Sequence, residues 1–438
     1  MSILFYHIFL WLYKLGIRLI SPWNPKAKRW LEGRRDIFDH IRADLAKSAA
    51  KAAAKGLEPD ALPVIWMHCS SLGEFEQGRP VLESIREKYP LAKIVVTFFS
   101  PSGYEVRKNY DGADHVFYLP LDSRKNARRF ISMVKPTLVL WVKYDYWYYY
   151  LVELKKKNVP ILLISGIFRP DQPFFKWYGK LHRYMLECFT CLFVQTEASR
   201  ALLTRLGISE NVSIGGDTRF DRVIGIVEAD ISLPLIGAFC GSYPVIVAGS
   251  TWEEDEEELD HYANTHPEIR FIIAPHEIGE DRLREVERLF RYCIRYSTWE
   301  SENNGAPIKG KVSASPTPNV LIIDNVGMLS KLYKYATIAY VGGGFGDDGV
   351  HNVLEPAAFG KPVVYGPVIE KYIEAVDLTE CGGGIVIDSA LEAESVFKRL
   401  LNDHLEYQQA GAAAGNYVHS KTGATRQIIN YIQAKKLI

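Results

Sequence analysis

The stretch Val341-Gly342-Gly343-Gly344-Phe345-Gly346-Asp347-Asp348-Gly349-Val350-His351-Asn352-Val353-Leu354-Glu355-Pro356-Ala357-Ala358 decides how this chain is read. The apolar run Thr337 to Val341 before it predicts a buried strand, and a helix pattern begins near His351 to Glu355. Strand, glycine loop and helix start is the arrangement that turns backbone N–H groups and a helix dipole toward a phosphate. Glycine is needed there because a Cβ would block close backbone approach and forbid positive φ. Gly343 and Gly344 are the candidate cradle, and Glu355 offers a carboxylate suited to ribose hydroxyls. Glycine loops also make plain turns, so the rest of the chain has to decide.

Outward from this loop, short apolar runs alternate with helical patterns, the signature of parallel α/β units. Strands are expected at 64–69, 93–99, 115–118, 137–142, 161–165, 192–195 and 212–215. A second series is expected at 245–249, 270–274, 320–323, 337–341, 362–364 and 384–387. The stretch Arg222 to Ser242, with Pro234 and two glycines, separates the two series. A length of 438 residues exceeds one ordinary core, so two domains are expected. Their bounds read as 23–225 and 240–415, followed by a helical tail at 416–438.

Hydrophobic residues make up 47% and charged residues 24%, the balance of a globular protein. Lys+Arg and Asp+Glu both total 52, so net charge carries no signal for nucleic acid, which is not expected as a partner. Six cysteines are scattered, and the lone Cys188-Phe-Thr-Cys191 pair abuts an apparent strand, which favours core packing over zinc or redox chemistry. Asp347-Asp348 lacks a third ligand at metal spacing, so no metal is expected.

Residues 1–22 form an apolar helix interrupted by His7, Lys14 and Arg18, which fall within about 40° of one another at 100° per residue. Positive charge does not precede the apolar core, unlike a secretory signal. The pattern fits a helix lying in the membrane surface, followed by basic residues facing anionic headgroups. A helix packed on another part of the protein is the alternative.

Other loops after expected strands carry chemistry-bearing residues. His68-Cys69-Ser70-Ser71-Leu72-Gly73-Glu74 ends one strand and starts a helix, with Glu74 in its first turn. Loops at the C-terminal ends of parallel strands are where ligands bind in such sheets. A first-turn glutamate also complements the helix dipole without any catalytic part. Trp141-Val142-Lys143-Tyr144-Asp145-Tyr146-Trp147 and Gly216-Asp217-Thr218-Arg219-Phe220-Asp221 lie in comparable places. So do Ser250-Thr251, Pro275-His276 and Val326-Gly327-Met328. The seven acids between Glu253 and Asp260 read mostly as a solvated helix.

Together, and in this order, these motifs resemble the GT-B glycosyltransferases that install 3-deoxy-D-manno-octulosonic acid (Kdo) on the lipid A precursor. The resemblance implies an α/β protein of two Rossmann-like domains facing a central cleft, donor in the second and acceptor in the first. The tail would cross back to the first domain. It makes Glu74 the general base of a His-x-x-Ser-x-Gly-Glu motif, Asp145 the acid that stabilises the transition state, and Arg219 a cation at phosphate or carboxylate. Substrate contacts would come from Ser71, Gly73, Ser250, Thr251, Pro275, His276, Val326, Gly327, Met328, Gly343, Gly344, Asn352, Val353, Leu354 and Glu355. The chain departs from the family at Lys143, where an acid is usual, at Arg219 for lysine, at Pro275 for arginine and at Met328 for glutamate. The implied reaction is inverting, needs no cofactor, and uses CMP-Kdo and the lipid A precursor (lipid IVA) at the cytoplasmic face of the inner membrane. The alternatives are a UDP-sugar transferase or epimerase of the same fold, or a non-catalytic sugar-nucleotide-binding membrane protein.

Overall fold

The computed structural model describes residues 3–54, 56, 58, 62–143, 145–303 and 317–438. It divides into two units, one of residues 1–222 with 422–438 and the other of residues 223–421.

The first unit holds a seven-stranded sheet: β1 (Val64–Cys69), β2 (Lys93–Phe98), β3 (His115–Tyr118), β4 (Leu138–Val142), β5 (Ile161–Gly166), β6 (Cys191–Val194) and β7 (Val212–Ile214). The order is β3-β2-β1-β4-β5-β6-β7, with every pairing parallel. Parallel strands covered on both faces are apolar throughout rather than alternating, and the β4 sequence Leu-Val-Leu-Trp-Val is buried end to end. Successive side chains still divide between faces. Trp66 joins the core on one side of the sheet, and Ile65, Met67 and Cys69 the core on the other.

The second unit repeats the plan with β8 (Val245–Thr251), β9 (Arg270–Pro275), β10 (Cys293–Arg295), β11 (Val320–Ile322), β12 (Ile338–Val341), β13 (Val363–Tyr365) and β14 (Gly384–Val386). Its order is β10-β11-β9-β8-β12-β13-β14, again all parallel. Each of the thirteen expected strands is present within two residues of its expected ends. The three-residue edge strand β10 is the addition, too short and too polar to leave an apolar signal.

Each sheet reverses its winding once, between β1 and β4 in the first unit and between β8 and β12 in the second. In open α/β sheets the loops at the C-terminal ends of such a pair form the ligand crevice. This topology therefore marks the loops after residues 69, 142, 251 and 341 before any chemistry is considered.

Helices Thr218–Glu228 and Pro234–Cys240 occupy the stretch between the two strand series, and Ile236, Phe239 and Cys240 are buried in the second unit's core. The tail helix Ala424–Ala434 packs on helix Leu72–Lys88 of the first unit, burying Ile428, Ile429 and Ile432. Asp221 caps it, accepting the N–H groups of Gly423 and Thr425 at 2.6 Å. Cys188 and Cys191 are buried and unpaired, and burial pushes both thiols up to about 11, so the pair is core packing.

The N-terminal helix Ile3–Ile20 docks one stripe, Tyr6, Leu10, Tyr13 and Ile17, on the first unit's core. Tyr6 donates to Asp122 at 2.6 Å, and the His7 ring hydrogen-bonds the Tyr149 hydroxyl. The opposite face leaves Phe5, Ile8, Phe9, Trp11, Leu12 and Leu19 exposed. The helix is thus packed along one side and apolar toward solvent along the other.

Candidate active site

In the first unit the winding reversal brings the loops after β1 and β4 together. Ser71 caps helix Leu72–Lys88, its hydroxyl accepting the Glu74 N–H at 3.4 Å. This cap fixes the first turn and turns the Glu74 side chain back toward the end of β1, where the Ser70 N–H donates to Oε2. The Ser70 hydroxyl donates to Asp145 Oδ2, and the Asp145 carbonyl accepts the Trp141 indole N–H at 2.5 Å. Lys143, at the turn after β4, has a left-handed φ of 55°, uncommon for a residue with a Cβ and typical of functional loops. A Cβ at Gly73 would meet nothing within 4 Å, so no neighbouring atom there demands glycine.

Glu74 and Asp145 are therefore two carboxylates sharing one partly buried pocket. Burial, then the Asp145 charge, raise Glu74 to about 7, against the opposing pull of the Ser70 N–H and the Lys143 cation. Burial also holds Asp145 above the ordinary aspartate range, while the Ser70 hydroxyl pulls it down. A carboxylate near neutrality can take a proton and release it, the property a general base needs.

The same unit presents Arg219. Buried Asp217 accepts Arg219 N–H and Nε at 2.9 Å and Nη2 at 2.8 Å, together with the side-chain amides of Gln77 at 3.2 Å and Gln195 at 3.1 Å. The guanidinium is thereby held in one plane, the form in which arginine recognises phosphate or carboxylate.

In the second unit Ser250, Gly327, Tyr333, Asn352 and Glu355 line one cavity of about 220 Å³. Ser250 has φ 56° where the β8–β9 register slips between Gly249 and Thr251. The slip turns the end of β8 out of the pleat and into the cavity. Asn352 donates from Nδ2 to Glu355 at 3.1 Å. Gly249 makes room for the Tyr333 hydroxyl, which would lie 2.1 Å from a Cβ there.

Beside the cavity, His276 stacks on Trp252 and on His351, each at 4.6 Å between ring centres. The Trp252 indole donates to His351 Nε2 at 2.9 Å. That bond needs a bare nitrogen, and burial together with the neighbouring His276 lowers the proton affinity of His351 accordingly. Pro275 ends β9, Val326 is 87% exposed and Gly327 has φ 94°. Met328 precedes the four-residue helix Leu329–Leu332. The side chains of Thr251, Val353 and Leu354 are buried in the fold, which leaves only their main chains to face a ligand.

Two expectations from the sequence change here. The glycines of the decisive loop serve packing within the protein: a Cβ would come within 2.4 Å of Ser250 O at Gly342, 2.5 Å of Gly349 O at Gly343 and 2.6 Å of Gly366 N at Gly344. Gly343 does use the positive φ, at 89°. The helix expected from Asn352 is only Leu354–Ala358, too short for much macrodipole, and Asn352 Oδ1 accepts the Leu354 N–H at 3.2 Å.

Known proteins resemble this chain in sequence and in fold. Residues 40–222 match the family model of the 3-deoxy-D-manno-octulosonic acid transferases. A transferase of that name from Bordetella pertussis is 25% identical over 441 residues, covering 96% of this chain and 98% of its own. The chain is thus similar to the Kdo transferases, and it is a glycosyltransferase. A bifunctional glycosyltransferase/methyltransferase of Fusobacterium nucleatum is 28% identical over 85% of this chain, which spans about half (55%) of that longer protein. For fold alone, the UDP-GlcNAc 2-epimerase of Neisseria meningitidis superposes with TM-score 0.57 at 16% identity, over 85% of this chain and 100% of that one. Both units are Rossmann-like, the GT-B plan.

The structure also brings to the candidate site buried residues that the sequence does not single out. Asp255 and Glu256 are fully buried within the acidic run read as mostly solvated. Asp255 accepts Trp252 N–H at 2.9 Å, Gly343 N–H at 2.7 Å and Tyr340 O–H at 2.7 Å, tying the glycine loop to the end of β8. Glu256 accepts the Thr251 hydroxyl at 2.7 Å and pairs with Arg282. Their positions as the third and fourth residues of helix Glu253–Thr265, beside the strand end, are the signal: capping positions turn inward while the rest of the run faces water. Asp217 and Ser70 were likewise hidden, as small polar residues next to more conspicuous ones.

Proposed function

We propose that the chain transfers Kdo from CMP-Kdo to a hydroxyl of the lipid A precursor, with inversion, in lipopolysaccharide synthesis. Glu74 takes the proton of the attacking hydroxyl. The freed oxygen bonds to the anomeric carbon of Kdo as the bond to the CMP phosphate breaks, and both electrons of that bond leave with CMP. Asp145 stabilises positive charge developing on the sugar, and Arg219 offers its guanidinium to the departing phosphate or the Kdo carboxylate. In the second unit the cavity walled by Ser250, Gly327, Asn352 and Glu355 takes the nucleotide, with Glu355 on ribose hydroxyls and His276 against the cytidine. In this reading main-chain groups of Val326 to Met328 and of Val353 to Glu355, with Thr251 and Pro275, add contacts around the nucleotide. The exposed apolar face of the N-terminal helix holds the enzyme at the cytoplasmic surface of the inner membrane, where its acceptor lies.

The observation that carries this reading is Glu74: a carboxylate raised to about 7 at the winding reversal of the first sheet, beside a second carboxylate. Incubation of the purified protein with CMP-Kdo and lipid IVA, with products weighed by mass spectrometry, tests it. Added Kdo mass and released CMP are expected. Glu74→Gln should still bind CMP and lose transfer. Release of UDP from a UDP-sugar instead, or transfer undiminished in Glu74→Gln, would overturn it.

A further inference from the structure

We infer that Ser70 is a positioning residue for the reaction proposed above, tying the Glu74 and Asp145 carboxylates to a single point of the chain. The inference rests on that reading. Ser70 is the first residue beyond β1 and is 9% exposed. Its three polar groups reach three different segments: the first turn of the next helix, the loop after β4 and the loop after β2. The N–H donates to Glu74 Oε2, the hydroxyl donates to Asp145 Oδ2, and the carbonyl accepts Ser100 N–H at 2.7 Å from the loop after β2.

Two carboxylates brought together in a buried place repel, and each loses water that stabilised its charge. One residue that donates to both offsets part of that cost and fixes their separation. The Ser70 hydroxyl donates directly to the Asp145 carboxylate. Among the described residues, ionisable groups coupled to the pair include Lys143 from the turn after β4, Cys69 at the end of β1 and Tyr13 from the N-terminal helix. Lys143 is the one cation among these groups, so the hydroxyl has a distinct part in keeping Asp145 ionised.

The sign of the expected effect follows. Without the hydroxyl, the state with both carboxylates ionised loses stability relative to every state in which Asp145 holds a proton. The acid limb of kcat/KM therefore moves to higher pH. In the full-length protein, with CMP-Kdo and lipid IVA, Ser70→Ala should lose about ten- to a hundredfold in kcat/KM, the range a hydrogen bond to a charged group carries, and should show that upward shift. Ser70→Thr, which keeps the hydroxyl, should restore both. In an Asp145→Asn background, Ser70→Ala should add little further loss, because Ser70 acts on catalysis mainly through Asp145. Ser70→Cys keeps the volume with a weaker donor, and its acid limb should lie between the two. Ser70→Ala with unchanged rate and unchanged acid limb, or with a loss that adds in full to that of Asp145→Asn, overturns the inference. Failure of the wider reading is separate: it appears as undiminished transfer in Glu74→Gln, whatever Ser70 does.

Discussion

The carboxylate of Asp217 takes both Nε and Nη2 of Arg219 on one oxygen, at 2.9 and 2.8 Å, so the cation is presented in a fixed plane. In the proposed reaction this planar fork would face the phosphate or carboxylate, where a lysine would offer one rotatable point charge. Arg219→Ala should slow transfer roughly a hundredfold, with little change in melting temperature, because the side chain is 35% exposed. Asp217→Ala should do harm of another kind. It strands the amides of Gln77 and Gln195 and removes the carboxylate that orients the Arg219 guanidinium, at a cost of about 2 kcal/mol, or about 5 °C in melting temperature for a unit of this size. Steady-state rates beside thermal melts of both variants separate the two effects.

Glu74 links activity and stability to pH with opposite signs. As a base it must be ionised, so the rate should fall below about pH 7, the value to which burial raises it. For stability, its folded value lies above the usual 4.5, so the folded state keeps a proton that the unfolded chain has already released between those two values. Stability from this group is therefore lost as pH rises from 4.5 to 7 and stays lost above that, by up to roughly 3 kcal/mol. Glu74→Gln, which never ionises, should melt higher than the parent at pH 8 and close to it at pH 4.5. Equal melting temperatures at pH 8 would show that the carboxylate is not held in a poorly solvated place.

Asp255 predicts a longer-range effect. Its carboxylate satisfies Trp252 N–H, Gly343 N–H and Tyr340 O–H, and a buried donor without a partner costs about 1–3 kcal/mol. Asp255→Ala should destabilise the second unit by about 3 kcal/mol and, by freeing Gly343 from the end of β8, weaken CMP binding at least tenfold. Calorimetric titration with CMP, set beside a denaturant melt, checks both. Full CMP affinity in a destabilised variant would mean that the glycine loop keeps its shape without this tie.

These cases show what a sequence reading reaches. Parallel strands buried on both faces are continuous apolar runs, so thirteen of fourteen were legible, and β10 was missed because Cys293–Arg295 has almost no apolar length. Glu74, Arg219 and Ser250 stood out because they follow strands. Ser70, Asp217 and Asp255 did not, since a buried polar residue looks like an exposed one until its partners from distant loops are known. The glycine loop was legible as a special place but not in its reason, because Gly344 avoids Gly366, a residue 22 positions further along the chain. Dipole strength is overestimated because Leu354–Ala358 stops after five residues; the stop signals, Gly360 at φ 64° and Pro362, come just past the helix.

The N-terminal helix supplies the last prediction, because its two sides separate cleanly. Tyr6, Leu10, Tyr13 and Ile17 pack on the first unit, so deleting the helix would disturb that core and confuse attachment with folding. Substitution on the far side avoids this, as Trp11 is 64% and Leu12 52% exposed. Each large apolar side chain buried in an apolar environment contributes about 1.5–3 kcal/mol. Trp11→Glu with Leu12→Glu should therefore lower partition onto anionic vesicles by more than a hundredfold, with added repulsion between the glutamates and the lipid headgroups. The melting temperature should stay near that of the parent, and so should transfer to acceptor dispersed in detergent. Transfer to acceptor embedded in vesicles should fall with partition. Unchanged vesicle binding in this double variant would mean that the exposed face is not what meets the lipid.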